Sequence, residues 1–74
     1  MSPLAHLLSQ EQEERLRRAI SRLRDEDREL VIARLDLGYN YAQIALATGR
    51  ATADAARMAV HRALLRLAEE MGAD

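Results

Sequence analysis

The sequence predicts an all-α fold of three to four short helices ending in a helix-turn-helix, and three observations carry that prediction. Only two aromatic residues, Tyr39 and Tyr41, stand among 74, while Ala and Leu abound, so the core is filled by small aliphatic side chains between close-packed helices. Apolar residues recur at helical spacing instead of alternating. Ser9, Asn40 and Thr52 stand where N-caps are expected, and Gly38 and Gly49 stand where helices stop.

The first helix starts at Gln10, because Ser9 followed by Gln12 is a capping box in which each side chain bonds the other residue's backbone amide. Its apolar stripe is Leu16, Ala19, Ile20 and Leu23. The opposite face carries the acid-first pairs Glu11/Arg15, Glu13/Arg17 and Glu14/Arg18, which read as a solvated face. The second helix spans about Glu26 to Leu37, opened by Asp25, Glu26 and Asp27 and stopped by Gly38. Consecutive carboxylates at a helix start need only the macrodipole and solvent to explain them. This helix is apolar on two sides: Leu30, Ala33 and Leu37 form one stripe, and Val31, Ile32 and Leu35 form another. It is either central or offers one side to a partner.

Asn40 and Gln43 make a second capping box, opening a short helix Tyr41 to Ala47 with Ile44 and Ala45 inward and Gly49 after it. Thr52 caps the last helix, which runs from Ala53 to about Met71. Ala56, Val60, Ala63, Leu64, Leu67 and Met71 form its core stripe; Asp54, Met58, His61 and Leu65 fall opposite, flanked by Arg57 and Arg62. A short capped helix, a tight turn at Gly49 and a longer helix make a helix-turn-helix at Tyr41 to Leu67, the arrangement in which a second helix enters the DNA major groove.

Composition narrows the function. A chain of 74 residues, 49% hydrophobic and 31% charged, has the balance of one folded domain, too short for a multi-step enzyme with its own cleft. There is no Cys, no Gly-rich phosphate loop and no Ser/His/Asp spacing set; His61 lies far from His6 in sequence, without a paired carboxylate. No catalysis, cofactor or metal is expected. No apolar run approaches the roughly 20 residues that span a bilayer, and Met1 to Ser9 lacks the basic start and cleavage-like end of a leader. A cytoplasmic monomer without membrane contact is therefore expected. The net charge of −1 conceals a basic segment: residues 49–67 carry Arg50, Arg57, Arg62 and Arg66 against Asp54 alone.

The wording of the chain adds to its spacing. Leu23-Arg24-Asp25-Glu26-Asp27-Arg28-Glu29 leads into Ile32-Ala33-Arg34. Gly38-Tyr39-Asn40-Tyr41-Ala42-Gln43-Ile44-Ala45, Gly49 and His61-Arg62-Ala63-Leu64-Leu65-Arg66-Leu67 follow. Together these resemble region four of bacterial RNA polymerase sigma factors, nearest the extracytoplasmic-function branch, over about residues 10 to 71. The resemblance implies that the last helix docks on the minus-35 element of double-stranded promoter DNA. It also implies that the earlier helices hold the β flap of the RNA polymerase core, with an anti-sigma factor as a further partner. It divides the chain into a linker remnant at 1–9 and the domain at 10–72, as in a C-terminal domain excised behind an added initiator Met1. Ser2-Pro3 with Leu4, Leu7 and Leu8 suits a short turn of helix as well as a linker. The stretch from Gly49 to Arg62 is one residue longer than in most members, and Thr48 stands where the family usually has Leu. Ala55-Ala56-Arg57-Met58-Ala59 replaces a Thr-Val-Lys-Ser-Arg run, and nothing resembles region two, so this chain alone would not initiate transcription.

Six residues are expected at DNA. Arg57, in the second turn, can bond a guanine O6 and N7 together, unless it is a flank arginine with its head in water. Met58 and His61 lie on the outward stripe, suited to a thymine methyl and to a base or phosphate, although Met58 could equally be inert surface. Arg50 in the turn, Thr52 at a helix start and Arg62 at the edge suit phosphates, and Thr52 would cap the helix in any case. Asp54 serves capping-turn electrostatics or accepts from a cytosine amine; Arg66 is solvated or internally paired; Leu65 packs under the first helix or stays exposed. Val31, Ile32 and Leu35 form the expected partner surface, the opposing view being that the domain buries both sides of its second helix. The competing function is a helical protein-interaction module, an adaptor or anti-sigma target, in which the helix-turn-helix is only scaffold.

Overall fold

The computed structural model describes residues 8–73, so residues 1–7, which hold most of the expected linker, lie outside the described residues. Among the described residues there are four helices and no strand: α1 (Gln10–Arg22), α2 (Asp25–Val31), α3 (Tyr41–Thr48) and α4 (Ala53–Gly72). A π-helical turn, Ile32–Asp36, continues α2. The long α4 is the element on which α1, α2 and α3 all pack.

The caps form where the side-chain chemistry places them. Ser9 Oγ accepts from the Gln12 amide at 3.2 Å while Gln12 Oε1 accepts from the Ser9 amide at 3.1 Å. Asn40 and Gln43 exchange the same two bonds at 2.8 and 2.9 Å. Thr52 Oγ1 accepts from the Ala55 amide at 3.0 Å. Gly49 ends α3 in the left-handed region at φ 71°, a conformation that a Cβ disfavours. Thr48, where an apolar side chain was the family expectation, is half-buried and donates its hydroxyl to the Ile44 carbonyl at 2.7 Å. Of the three acid-first pairs on α1, Glu13–Arg17 closes at 2.7 Å. Arg15 instead reaches the Met71 carbonyl at 3.5 Å.

The second helix departs from the expected continuous α-helix to Leu37. After Val31 the backbone widens into the five-residue π turn, with the Leu37 amide donating to the Ile32 carbonyl at 3.0 Å. The extra residue in that turn shifts the following register by about one position. Leu37, which a 3.6-residue period stacks below Leu30 and Ala33, is consequently rotated outward and is 55% exposed. Gly38, at φ 70°, then reverses the chain, and the Tyr39 amide closes on the Ala33 carbonyl at 3.0 Å. Arg34 braces the junction to α3, its guanidinium 4.5 Å from the Tyr41 ring centroid and donating to the Tyr39 carbonyl at 2.9 Å.

The core consists of Ala19, Leu23, Leu30, Val31, Ala33, Ile44, Ala45, Ala56, Ala59, Val60, Ala63 and Leu67, flanked by Leu16, Ile20, Leu35, Tyr41, Leu64 and Met71. Its Ala content lets helix axes approach closely, so a domain without Phe or Trp still fills its interior. Ala59 joins the α4 stripe beside the expected members, widening it on one side.

Two polar junctions go beyond the sequence expectations, which offer an internal pair for Arg66 but do not name its partner. Arg28 caps the end of α1 from the neighbouring helix, donating to the carbonyls of Leu23 (2.7 Å), Ser21 (3.3 Å) and Ile20 (3.3 Å), the last of which also accepts from the Leu23 amide at 3.1 Å. Asp27 corrects the view that the acidic start of α2 is simply solvated: it is 2% exposed. Its carboxylate accepts from Arg66 Nη1 of α4 at 2.9 Å and from Arg24 Nε at 3.3 Å. The cause is tertiary: α4 covers this side of α2, and a desolvated carboxylate has to be paired.

Candidate nucleic-acid interface

The face of α4 opposite its core stripe is open. Met58 is 48% exposed, and Asp54, Arg57, His61, Arg62 and Leu65 are all exposed beside it. Leu65 therefore does not pack under α1. The buried Ala56, Ala59, Val60 and Ala63 hold the inner side of the same helix, which sets the rotation of α4 and so turns Met58 and His61 outward. Thr52 heads the face, exposed, with its hydroxyl engaged in the cap. The turn that presents the face is tight: the Arg50 amide donates to the Ala45 carbonyl at 2.8 Å, and Thr52 already caps α4.

Charge is less available than the sequence suggests. Arg50, expected as a free turn cation for phosphate, is bonded to Glu26 of α2 at 2.7 Å with its side chain only 19% exposed. A phosphate contact there requires that ion pair to open. Arg66 is held by Asp27, and Arg57 by Asp54 at 2.8 Å. Of the four arginines of the segment, Arg62 is the one with no ion-pair partner among the described residues, while the Asp27 carboxylate that holds Arg66 is shared with Arg24. The acids that neutralise the segment sit about 24 to 39 positions away in sequence for Arg50 and Arg66, beyond the reach of any local charge count.

The expected partner surface is corrected at Val31, which is fully buried in the domain's own core. Ile32 is half-buried, and Leu35 is partly buried against the core. The stripe expected to be surplus is thus largely used internally, because α4 covers one side of α2 while the π turn draws Leu35 inward. The apolar groups left in water lie elsewhere: Leu46, on the outer side of α3, is 85% exposed, and Leu37 follows the π turn.

No family model matches the chain, and no curated protein or solved structure is similar enough to match it.

Proposed function

We propose that this domain recognises double-stranded promoter DNA at a minus-35-type element as sigma-factor region four does, in a cytoplasmic complex with the β flap of RNA polymerase. The observation that carries this is the open α4 face. Met58 and His61, bordered by Arg57 and Arg62, stand in solvent on a helix that a short capped helix and a tight turn precede. Such a face admits a major groove, with apolar contact for a thymine methyl at Met58 and bidentate donors for guanine at Arg57. Arg62 and the Thr52 end of α4 supply phosphate contacts that set the register. With Arg50, Arg57 and Arg66 each engaged in an ion pair, the domain releases few counterions, so its own affinity is low and a second anchor on polymerase supplies the remainder. Ile32 and Leu35, with Val31 removed, are what remains of the polymerase-facing stripe on α2 and its π turn.

Selection from randomised duplexes, followed by anisotropy titration of the full chain over a range of salt with and without the flap, tests this. An enriched sequence is expected. Arg57→Ala lowers discrimination at one base pair by about 1–3 kcal/mol. Arg62→Ala weakens all sequences alike and flattens the log–log salt slope by about 0.9. The exposed Leu46 and Leu37 favour a second reading, a helical protein-interaction module with a helical sigma regulator as its partner. Tight binding to such a protein, with no enriched duplex even in the presence of the flap, overturns the promoter reading in its favour.

A further inference from the structure

Asp54 and Arg57 lie on the open face in the first two turns of α4, three residues apart. Arg57 donates from Nε at 3.1 Å and from Nη2 at 2.8 Å, and both bonds fall on the same carboxylate oxygen, Oδ1. One edge of the guanidinium is therefore occupied. The other edge, made by Nη1 and the second Nη2 hydrogen, has no partner among the described residues. That edge offers two parallel N–H donors, the arrangement that matches guanine N7 and O6 in a major groove.

We propose that Asp54 is a positioning residue for base readout: it fixes one edge of Arg57, aims the other at a guanine, and withdraws this arginine from the phosphates. The inference rests on the promoter-reading function above and goes beyond it by assigning the specificity to a pair. Two physical reasons favour a base over a phosphate as the target. A guanidinium whose charge is offset by a bound carboxylate retains its directional donors but gains little from a phosphate, and the adjoining carboxylate repels phosphate oxygens. Holding the fork in advance also removes rotamer freedom that Arg would otherwise lose on binding. Phosphate neutralisation then falls to Arg62, whose head is uncompensated among the described residues.

The test uses the full chain and the duplex enriched by selection. The guanine whose replacement by 7-deazaguanine or adenine costs affinity in the native chain, and no longer does in Arg57→Ala, marks the readout position. Asp54→Ala is expected to bind random duplex about two- to fivefold more tightly at low salt, having lost a repelling charge. Its preference for the marked guanine is expected to fall from about tenfold to under about threefold. Asp54→Asn, which retains an acceptor oxygen, keeps part of the preference while its salt slope steepens. In the Arg57→Ala background, Asp54→Ala leaves discrimination unchanged, as required of a residue acting through Arg57. Undiminished guanine preference in Asp54→Ala, with thermal melts showing a folded variant, overturns the positioning role and leaves the promoter reading intact. An enriched duplex with no Arg57-dependent preference overturns the pair's role in readout, whereas the absence of any enriched duplex, with the flap present, overturns the promoter reading as well.

Discussion

Removing the buried carboxylate at the junction of α2 and α4 is expected to destabilise the domain by about 2 kcal/mol, and the geometry sets that figure. Asp27 is 2% exposed and accepts from Arg66 at 2.9 Å, the length of a full charge-assisted bond, and from Arg24 at 3.3 and 3.5 Å, which are long for one. A hydrogen bond to a charged group contributes about 1.5–3 kcal/mol. Both guanidinium heads are well exposed and regain water when the carboxylate is gone, which places Asp27→Ala in the lower part of that range. For a domain of this size about 2 kcal/mol lowers Tm by roughly 8–16 °C. Arg66→Ala leaves the carboxylate desolvated with only the long Arg24 contacts, so its cost is similar or larger. Arg24→Ala costs under about 1 kcal/mol, since Arg66 remains. Urea and thermal denaturation followed by far-UV circular dichroism measure all three, and the Asp27→Ala/Arg66→Ala double variant gives the coupling. A cost below about 0.5 kcal/mol for Asp27→Ala, or Arg24→Ala exceeding Arg66→Ala, refutes the assignment of Asp27 as the junction's buried anchor.

Three further outcomes are expected. Leu30→Ala costs about 2–5 kcal/mol while Leu37→Ala costs under about 1 kcal/mol; equal costs in chemical denaturation would contradict the π turn, since an unbroken α-helix buries both. Gly49→Ala loses about 1–2 kcal/mol from backbone strain alone, because a Cβ at φ +71° meets nothing within 4 Å; a rise in urea midpoint would rule out the left-handed cap. Val31→Ala loses about 2 kcal/mol by transfer and cavity terms, and an unchanged midpoint would return Val31 to the candidate partner surface.

Much of the architecture is written in short-range chemistry. Ser9/Gln12, Asn40/Gln43, Thr52 and the two left-handed glycines act within four residues of themselves, so the boundaries of α1, α3 and α4 are legible in the local sequence alone. The inner and outer sides of α4 follow from periodicity for the same reason: Val60, Ala63 and Leu67 repeat at helical spacing, and Met58 and His61 are left opposite. What the chain order conceals is whatever depends on which helix lies beside which. The burial of Asp27, the neutralisation of Arg50 by Glu26 and the capping of α1 by Arg28 arise only when α4 or a neighbouring helix end closes over α2. The π turn belongs to the same class: its residues satisfy an α-helical pattern locally, and it is the packing around α2 that buries Val31, draws Leu35 toward the core and turns Leu37 out. Composition therefore overstates the charge on the candidate DNA face, since an ion pair across dozens of residues is a property of the folded surface and not of the segment that carries the arginines.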